Sequence, residues 1–145
     1  MADERVEKLL MQGIDCCQTV FSCFAEEIGM TQEEAQKLAA GFGSGMFTGE
    51  TCGAVVGAIM VLGKKYGHTA PVDDEVRAKM VEKVKDFKCR FKERRGTCIC
   101  SQLLGYDMST DEGQDEAWES GTMQSRCPEI MTDAVEILDD MFDEE

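Results

Sequence analysis

Asp73-Asp74-Glu75-Val76-Arg77-Ala78-Lys79-Met80-Val81-Glu82-Lys83-Val84-Lys85-Asp86-Phe87-Lys88-Cys89-Arg90-Phe91-Lys92-Glu93-Arg94-Arg95-Gly96 is the stretch that decides the fold class. Its apolar residues Val76, Met80, Val84, Phe87 and Phe91 recur at intervals of four, four, three and four. That is the period of one helix face, and no strand repeats its side chains this way. Two aspartates open the segment and a glycine closes it, as helix ends require. The spacing predicts one long helix from Asp73 to about Gly96.

The same period extends to both sides. Val6, Leu9 and Leu10 form a first stripe, interrupted at Gly13. Asp15 can cap a second helix with stripe Val20, Phe21, Phe24 and Ile28. Thr31-Gln32-Glu33-Glu34 is a capping box and opens a third, short helix. After the glycine-rich stretch Gly41-Phe42-Gly43-Ser44-Gly45, a helix is expected from Thr51-Cys52 to about Tyr66-Gly67. A short one should cover Cys100 to Leu104, closed by Gly105. Residues 106–125 read as polar and irregular, with one helical turn around Trp118. Pro128 fits the first position of a last helix beginning at Cys127-Pro128. No run alternates β-branched and polar residues, so no strand is expected. The expectation is an all-α, compact bundle of five to seven helices, one domain over residues 1–145.

Composition narrows the function. The formal net charge of −14 disfavours nucleic acid and anionic membrane as partners, because both demand Lys and Arg against phosphate. Residues 77–95 carry nine Lys/Arg against three Asp/Glu, and residues 106–145 carry fourteen Asp/Glu against Arg126. These are expected to be solvated helix faces that pair within the chain. The alternative is a steering surface for a charged partner. The longest apolar stretch, Cys52 to Gly63, is far short of the roughly 20 residues a membrane span needs. The polar start Met1-Ala2-Asp3-Glu4-Arg5-Val6 has no apolar export core. The expected compartment is the cytoplasm, where thiols stay mostly reduced.

Against that background the eight cysteines carry the functional question. Cys16, Cys52, Cys100 and Cys127 fall at expected helix starts, where unsatisfied N–H groups favour thiolate, the nucleophile and metal ligand. Cys89 lies off its stripe, Cys23 reads as core, and Cys17 points away from Cys16. Cys98 forms Cys-x-Cys with Cys100. No Cys-x-x-Cys occurs, and His68 is the sole histidine, expected to be exposed. An all-protein tetrahedral site would rest mainly on sulfur, which selects zinc, iron–sulfur clusters or Cu(I). The Gly41–Gly45 stretch meets neither the dinucleotide nor the P-loop pattern, since Met46 and Thr48 stand where a third glycine is needed. Gly49, Gly53 and Gly57 recur every fourth residue. They leave one helix face bare, either for close helix packing or to expose N–H groups to a cluster, sulfide or small anion.

Cys52-Gly53-Ala54-Val55-Val56-Gly57 resembles the signature of the C_GCAxxG_C_C family of redox-active proteins. Cys16-Cys17-Gln18-Thr19-Val20-Phe21 and Gly96-Thr97-Cys98-Ile99-Cys100-Ser101-Gln102-Leu103-Leu104-Gly105 are similar to two further segments of that family. Cys127 with Ala134-Val135-Glu136-Ile137-Leu138 is similar to its last. The departures are Cys17 where Ala is usual, Ser101 where Arg is usual, and the additional Cys98. The resemblance implies that Cys16, Cys52, Cys100 and Cys127 are the family's redox cysteines. A related domain of split-Soret cytochromes implies an iron–sulfur centre. Three readings follow. One is an electron carrier or oxidoreductase whose four cysteines bind an iron–sulfur or other metal centre, with Gly49, Gly53 and Gly57 beside it. The second is thiol–disulfide or sulfur exchange starting from a low-pKa thiolate such as Cys52. The third is a non-catalytic module with structural zinc or buried thiols and no redox cofactor. Expected partners are a redox protein or a small sulfur compound, with a homodimer left open.

Overall fold

In a computed structural model, residues 2–145 are described. Among them are eight α-helices, one short turn of wider pitch and no strand. The all-helical class stands; the number of helices exceeds the expected five to seven. The helices are α1 (Glu4–Leu10), α2 (Cys16–Cys23), α3 (Gln32–Ala39), α4 (Gly53–Tyr66), α5 (Asp74–Arg95), α6 (Cys100–Leu104), α7 (Asp111–Glu119) and α8 (Thr122–Asp143). No helix of the described residues is long and apolar enough to cross a membrane.

Helix α4 is the centre. It buries Gly53, Ala54, Val55, Gly57, Ala58, Val61 and Leu62, which span a little over half of its circumference, a wider apolar face than a surface helix carries. It packs against α2, α5 and α8. Gly57 sets the approach to α2: a side chain there would meet Cys17 O at 2.9 Å and Phe21 N at 3.3 Å. The bare glycine face is therefore filled by a neighbouring helix.

Helix α5 keeps the expected boundaries. The Asp73 carboxylate accepts from the N–H groups of Glu75 and Val76, and Gly96 ends the helix in the left-handed conformation with φ 83°. Its stripe is only half buried. Phe87 and Phe91 are fully enclosed and stack with ring centroids 6.1 Å apart, whereas Val76 is exposed. The cause is the antiparallel partner α8. Arg95 pairs with Asp133, Arg94 with Asp133 and Glu136, Arg90 with Glu144, and Lys83 with Glu145. Pairing with α8 reaches only to Lys83, and before it α5 rests on the end of α4 through Met80 beside Gly63 and Lys79 over the Tyr66 ring, which leaves Val76 outside. These pairs also show that the basic and acidic segments meet within the chain.

Two boundaries correct the sequence reading. Residues 111–119 form a full helix, started by the Thr110 hydroxyl accepting from Gly113 N–H. Helix α8 starts at Thr122, after left-handed Gly121, so Pro128 lies inside it and not at its first position. The polar run Thr122–Arg126 carries no apolar period to reveal this. Proline inside a helix costs about 3 kcal/mol, which burial of Ile130, Met131, Ala134, Val135, Ile137, Leu138 and Met141 offsets.

The glycine-rich stretch ends in an unusual turn. Ser44, Gly45, Met46 and Phe47 all have positive φ, at 49°, 63°, 58° and 62°. Left-handed backbone costs a residue with a side chain about 1–2 kcal/mol, so this turn is held by its surroundings. Glu50 N–H donates to Gly45 O at 3.1 Å, and Gln114 of α7 donates to Phe47 O at 3.1 Å.

Candidate functional site

Four elements meet around one cavity of about 460 Å³, and Cys16, Cys52, Cys100 and Cys127 all line it. Cys16 is the first residue of α2, after the Asp15 cap. Cys52 is the N-cap of α4 and Cys100 the first residue of α6. Cys127 comes from the interior of α8, which corrects its expected place at a helix start. All eight cysteines are free thiols.

Cys52 and Cys100 are brought together by main-chain bonds. Cys52 N–H donates to Cys98 O at 2.7 Å, and Cys100 N–H donates to Glu50 O at 2.7 Å. This two-bond antiparallel strap centres on Thr51 and Ile99. Cys16 is placed by packing: its sulfur lies over the Cα of Gly53. The four cysteines thus reach one cavity through a helix start, a strap, and a mid-helix position.

The electrostatics run against the low-pKa expectation. Burial pushes the thiols of Cys100 and Cys127 up to about 12, and raises Cys16 and Cys52 as well. The four also oppose one another's ionisation: Cys16 raises Cys52, Cys100 and Cys127. The N–H groups of Ser44 at Cys16, and of Ala54 and Val55 at Cys52, act in the opposite direction but do not overcome burial. Enclosure therefore wins over the helix terminus. Among the described residues no Lys or Arg lines the cavity, and Asp15 is the one charged side chain in its lining. The Asp15 Oδ1 is buried without a hydrogen-bond partner, and burial raises its pKa.

Most of the remaining wall is apolar, with Leu103, Leu104, Ile130 and Met131 deep and Trp118 exposed at the mouth. Asp15 was legible only as a helix cap, and Ser44 only as part of a glycine-rich loop. Nothing in the sequence signals Trp118 as cavity lining, because only one helical turn was expected around it and not the whole of α7.

The three glycines separate. Gly53 lines the cavity, Gly57 packs on α2, and Gly49 packs against Ser101 and Met108 with φ 75°. The other cysteines lie elsewhere. Cys17 is enclosed with its sulfur 3.8 Å from Met60 Sδ. Cys23 is half-buried and Cys89 exposed. Cys98 is buried near Lys88 and Lys92 of α5. His68 is exposed. Among the described residues, no three His, Cys, Asp or Glu side chains form a group that could hold one metal ion.

Fold and cavity together define a small all-helical protein with four thiols converging on one chamber. The chain belongs to the family described as "Putative redox-active protein (C_GCAxxG_C_C)", matched over residues 14–141. No curated protein matches the chain. No solved structure matches it.

Proposed function

We propose that the protein is an electron carrier whose four cavity cysteines, Cys16, Cys52, Cys100 and Cys127, hold a thiolate-bound metal centre, an iron–sulfur cluster before any other. The observation that carries this reading is the convergence of four thiols on one cavity whose lining has no cationic side chain, although as placed no three of them form a group that could hold a single ion. Buried thiolates need a compensating charge, and here only a bound metal would supply it. The donor set is all sulfur, as iron–sulfur centres require. A cavity of about 460 Å³ also exceeds what one ion needs, which favours a cluster over a single structural zinc. Bound there, such a centre would take up and release single electrons. The chain's own part is to exclude water, to fix Cys52 against Cys100 through the strap, and to direct the N–H groups of Ser44, Ala54 and Val55 toward sulfur. Those groups would stabilise the more negative, reduced state.

Anaerobic purification from iron-replete cells tests the reading. Visible absorption with iron and acid-labile sulfide is expected. Colourless protein free of iron and sulfide overturns it.

Thiol–disulfide exchange is the second reading, favoured by the strap that holds the segments of Cys52 and Cys100 side by side. It predicts an intramolecular disulfide on mild oxidation of metal-free protein, seen as the loss of two titratable thiols per chain.

A further inference from the structure

The cavity is larger and its wall more apolar than four thiols explain. Its volume of about 460 Å³ equals the liquid share of about fifteen water molecules. It falls in the roughly 300–1,000 Å³ range of small-molecule sites. Away from the sulfurs the wall is apolar: Ile14 from the loop before α2, Leu103 and Leu104 from α6, Met123 and Met131 from α8. Trp118 of α7 stands at the mouth, 60% exposed although it lines the cavity. A large aromatic left open to water beside an enclosed apolar wall is suited to cover a ligand.

Charge decides what kind of ligand. No Lys or Arg reaches the lining, and the one ionisable group besides the thiols is the Asp15 carboxyl. The chain as a whole carries a formal −14. Arg126 stands behind the wall with its guanidinium donating to the carbonyls of Leu103 and Leu104, so an anion in the cavity would meet a carboxyl and four sulfurs and no lining cation. This counts against charged sulfur compounds and phosphorylated cofactors, and in favour of a neutral molecule.

We propose that the cavity binds an uncharged, mainly apolar organic co-substrate, of the size of a two-ring aromatic, between Trp118 and the cysteine sulfurs. The assignment names the substrate class of the site described above and rests on that redox reading for its purpose, though the binding itself does not require a metal.

N-phenyl-1-naphthylamine is an uncharged fluorescent probe of this size, and 1-anilinonaphthalene-8-sulfonate is its anionic counterpart. Trp118 is the sole tryptophan, so energy transfer shows a bound probe to lie within transfer range of α7, and the Gln124 variant below ties it to this cavity. The uncharged probe should bind the purified protein at one site, at least tenfold more tightly than the sulfonate, with transfer from Trp118. Trp118→Phe should abolish the transfer. Gln124 is an exposed residue of the cavity rim, and Gln124→Lys places a cation there without disturbing the core. It should narrow the preference at least threefold. Equal or tighter binding of the sulfonate to the unaltered protein overturns the proposal, as does binding of the uncharged probe without transfer from Trp118. Iron and sulfide content is measured on the same samples. Probe binding by iron-free protein removes only the metal-centre reading, and iron-loaded protein that ignores the probe removes only this one.

Discussion

The Cys16 sulfur occupies the space that a side chain on Gly53 would need. One residue supplies a thiol, the other supplies its seat by having no Cβ. A Cβ at Gly53 would also meet Phe42 O at 2.9 Å and Cys17 N at 3.1 Å, and these main-chain atoms cannot swing aside.

Gly53→Ala should therefore both destabilise the fold and displace Cys16. A cost of about 1–3 kcal/mol is expected from overpacking. Urea unfolding gives the stability, and metal content per folded chain gives the second effect. An unchanged urea midpoint would contradict the packing described.

The four cavity cysteines should differ from the others on substitution. Cys16→Ser, Cys52→Ser, Cys100→Ser or Cys127→Ser should each lower iron bound per chain at least severalfold. Exposed Cys89→Ser should leave it unchanged. Equal retention in all five variants would separate the cavity from metal binding.

Alkaline pH should weaken the metal-free protein. Cys17, Cys23, Cys100 and Cys127 have folded pKa values near 12, against an ordinary 9.0. The unfolded chain loses these protons first. The stabilisation they represent is complete below about pH 9 and declines as pH rises toward 12. The slope is about 1.4 kcal/mol per pH unit for each such thiol. A Cys100→Ser, Cys127→Ser double variant should show a shallower decline in urea midpoint over that window than the unaltered protein. Identical slopes would mean that these thiols ionise as easily folded as unfolded.

The left-handed turn offers a gain of stability. Phe47 has φ 62° and is 51% exposed, so about half of its ring is left in water while its backbone is strained. Phe47→Gly should stabilise the protein by about 1 kcal/mol, as glycine adopts this conformation without penalty. Thermal unfolding checks the sign, and a lowered midpoint would show the ring to matter more than the backbone.

Asp133 joins Arg94 and Arg95 of α5 to α8. Asp133→Asn should cost about 1 kcal/mol at low salt and less at high salt, since all three groups retain some exposure to screening ions. Urea midpoints at two salt concentrations measure it.

Local signals in the sequence were read correctly where the chemistry is local. Asp73, Gly96, Gly105 and the Thr31 capping box mark their helix ends as the structure has them. The turn at Ser44–Phe47 was illegible because Ser, Met and Phe rarely take positive φ, and only packing imposes it there. A proline suits a helix start, and Met123 alone before Pro128 sets no apolar period that would mark the earlier turns. The four cysteines were legible as a set, and the cavity they share is a tertiary fact. Their titration was misjudged for a related reason: helix termini can be guessed along the chain, whereas enclosure depends on α7 and α8 folding over them.

The strap between residues 50–52 and 98–100 has a consequence for how such chains can vary. Helix α6 has five residues, too few to hold a position by itself. Its first residue, Cys100, inherits its location from the main chain beside Cys52. The loop after Gly67 and the exposed first turns of α5 can then change in length without moving the third thiol relative to the second, while Phe87 and Phe91 keep the rest of α5 in the core. The 47 residues between Cys52 and Cys100 are therefore not a spacing that the site reads. Homologous chains should keep the short segments around the two cysteines and let that loop and the start of α5 drift in length.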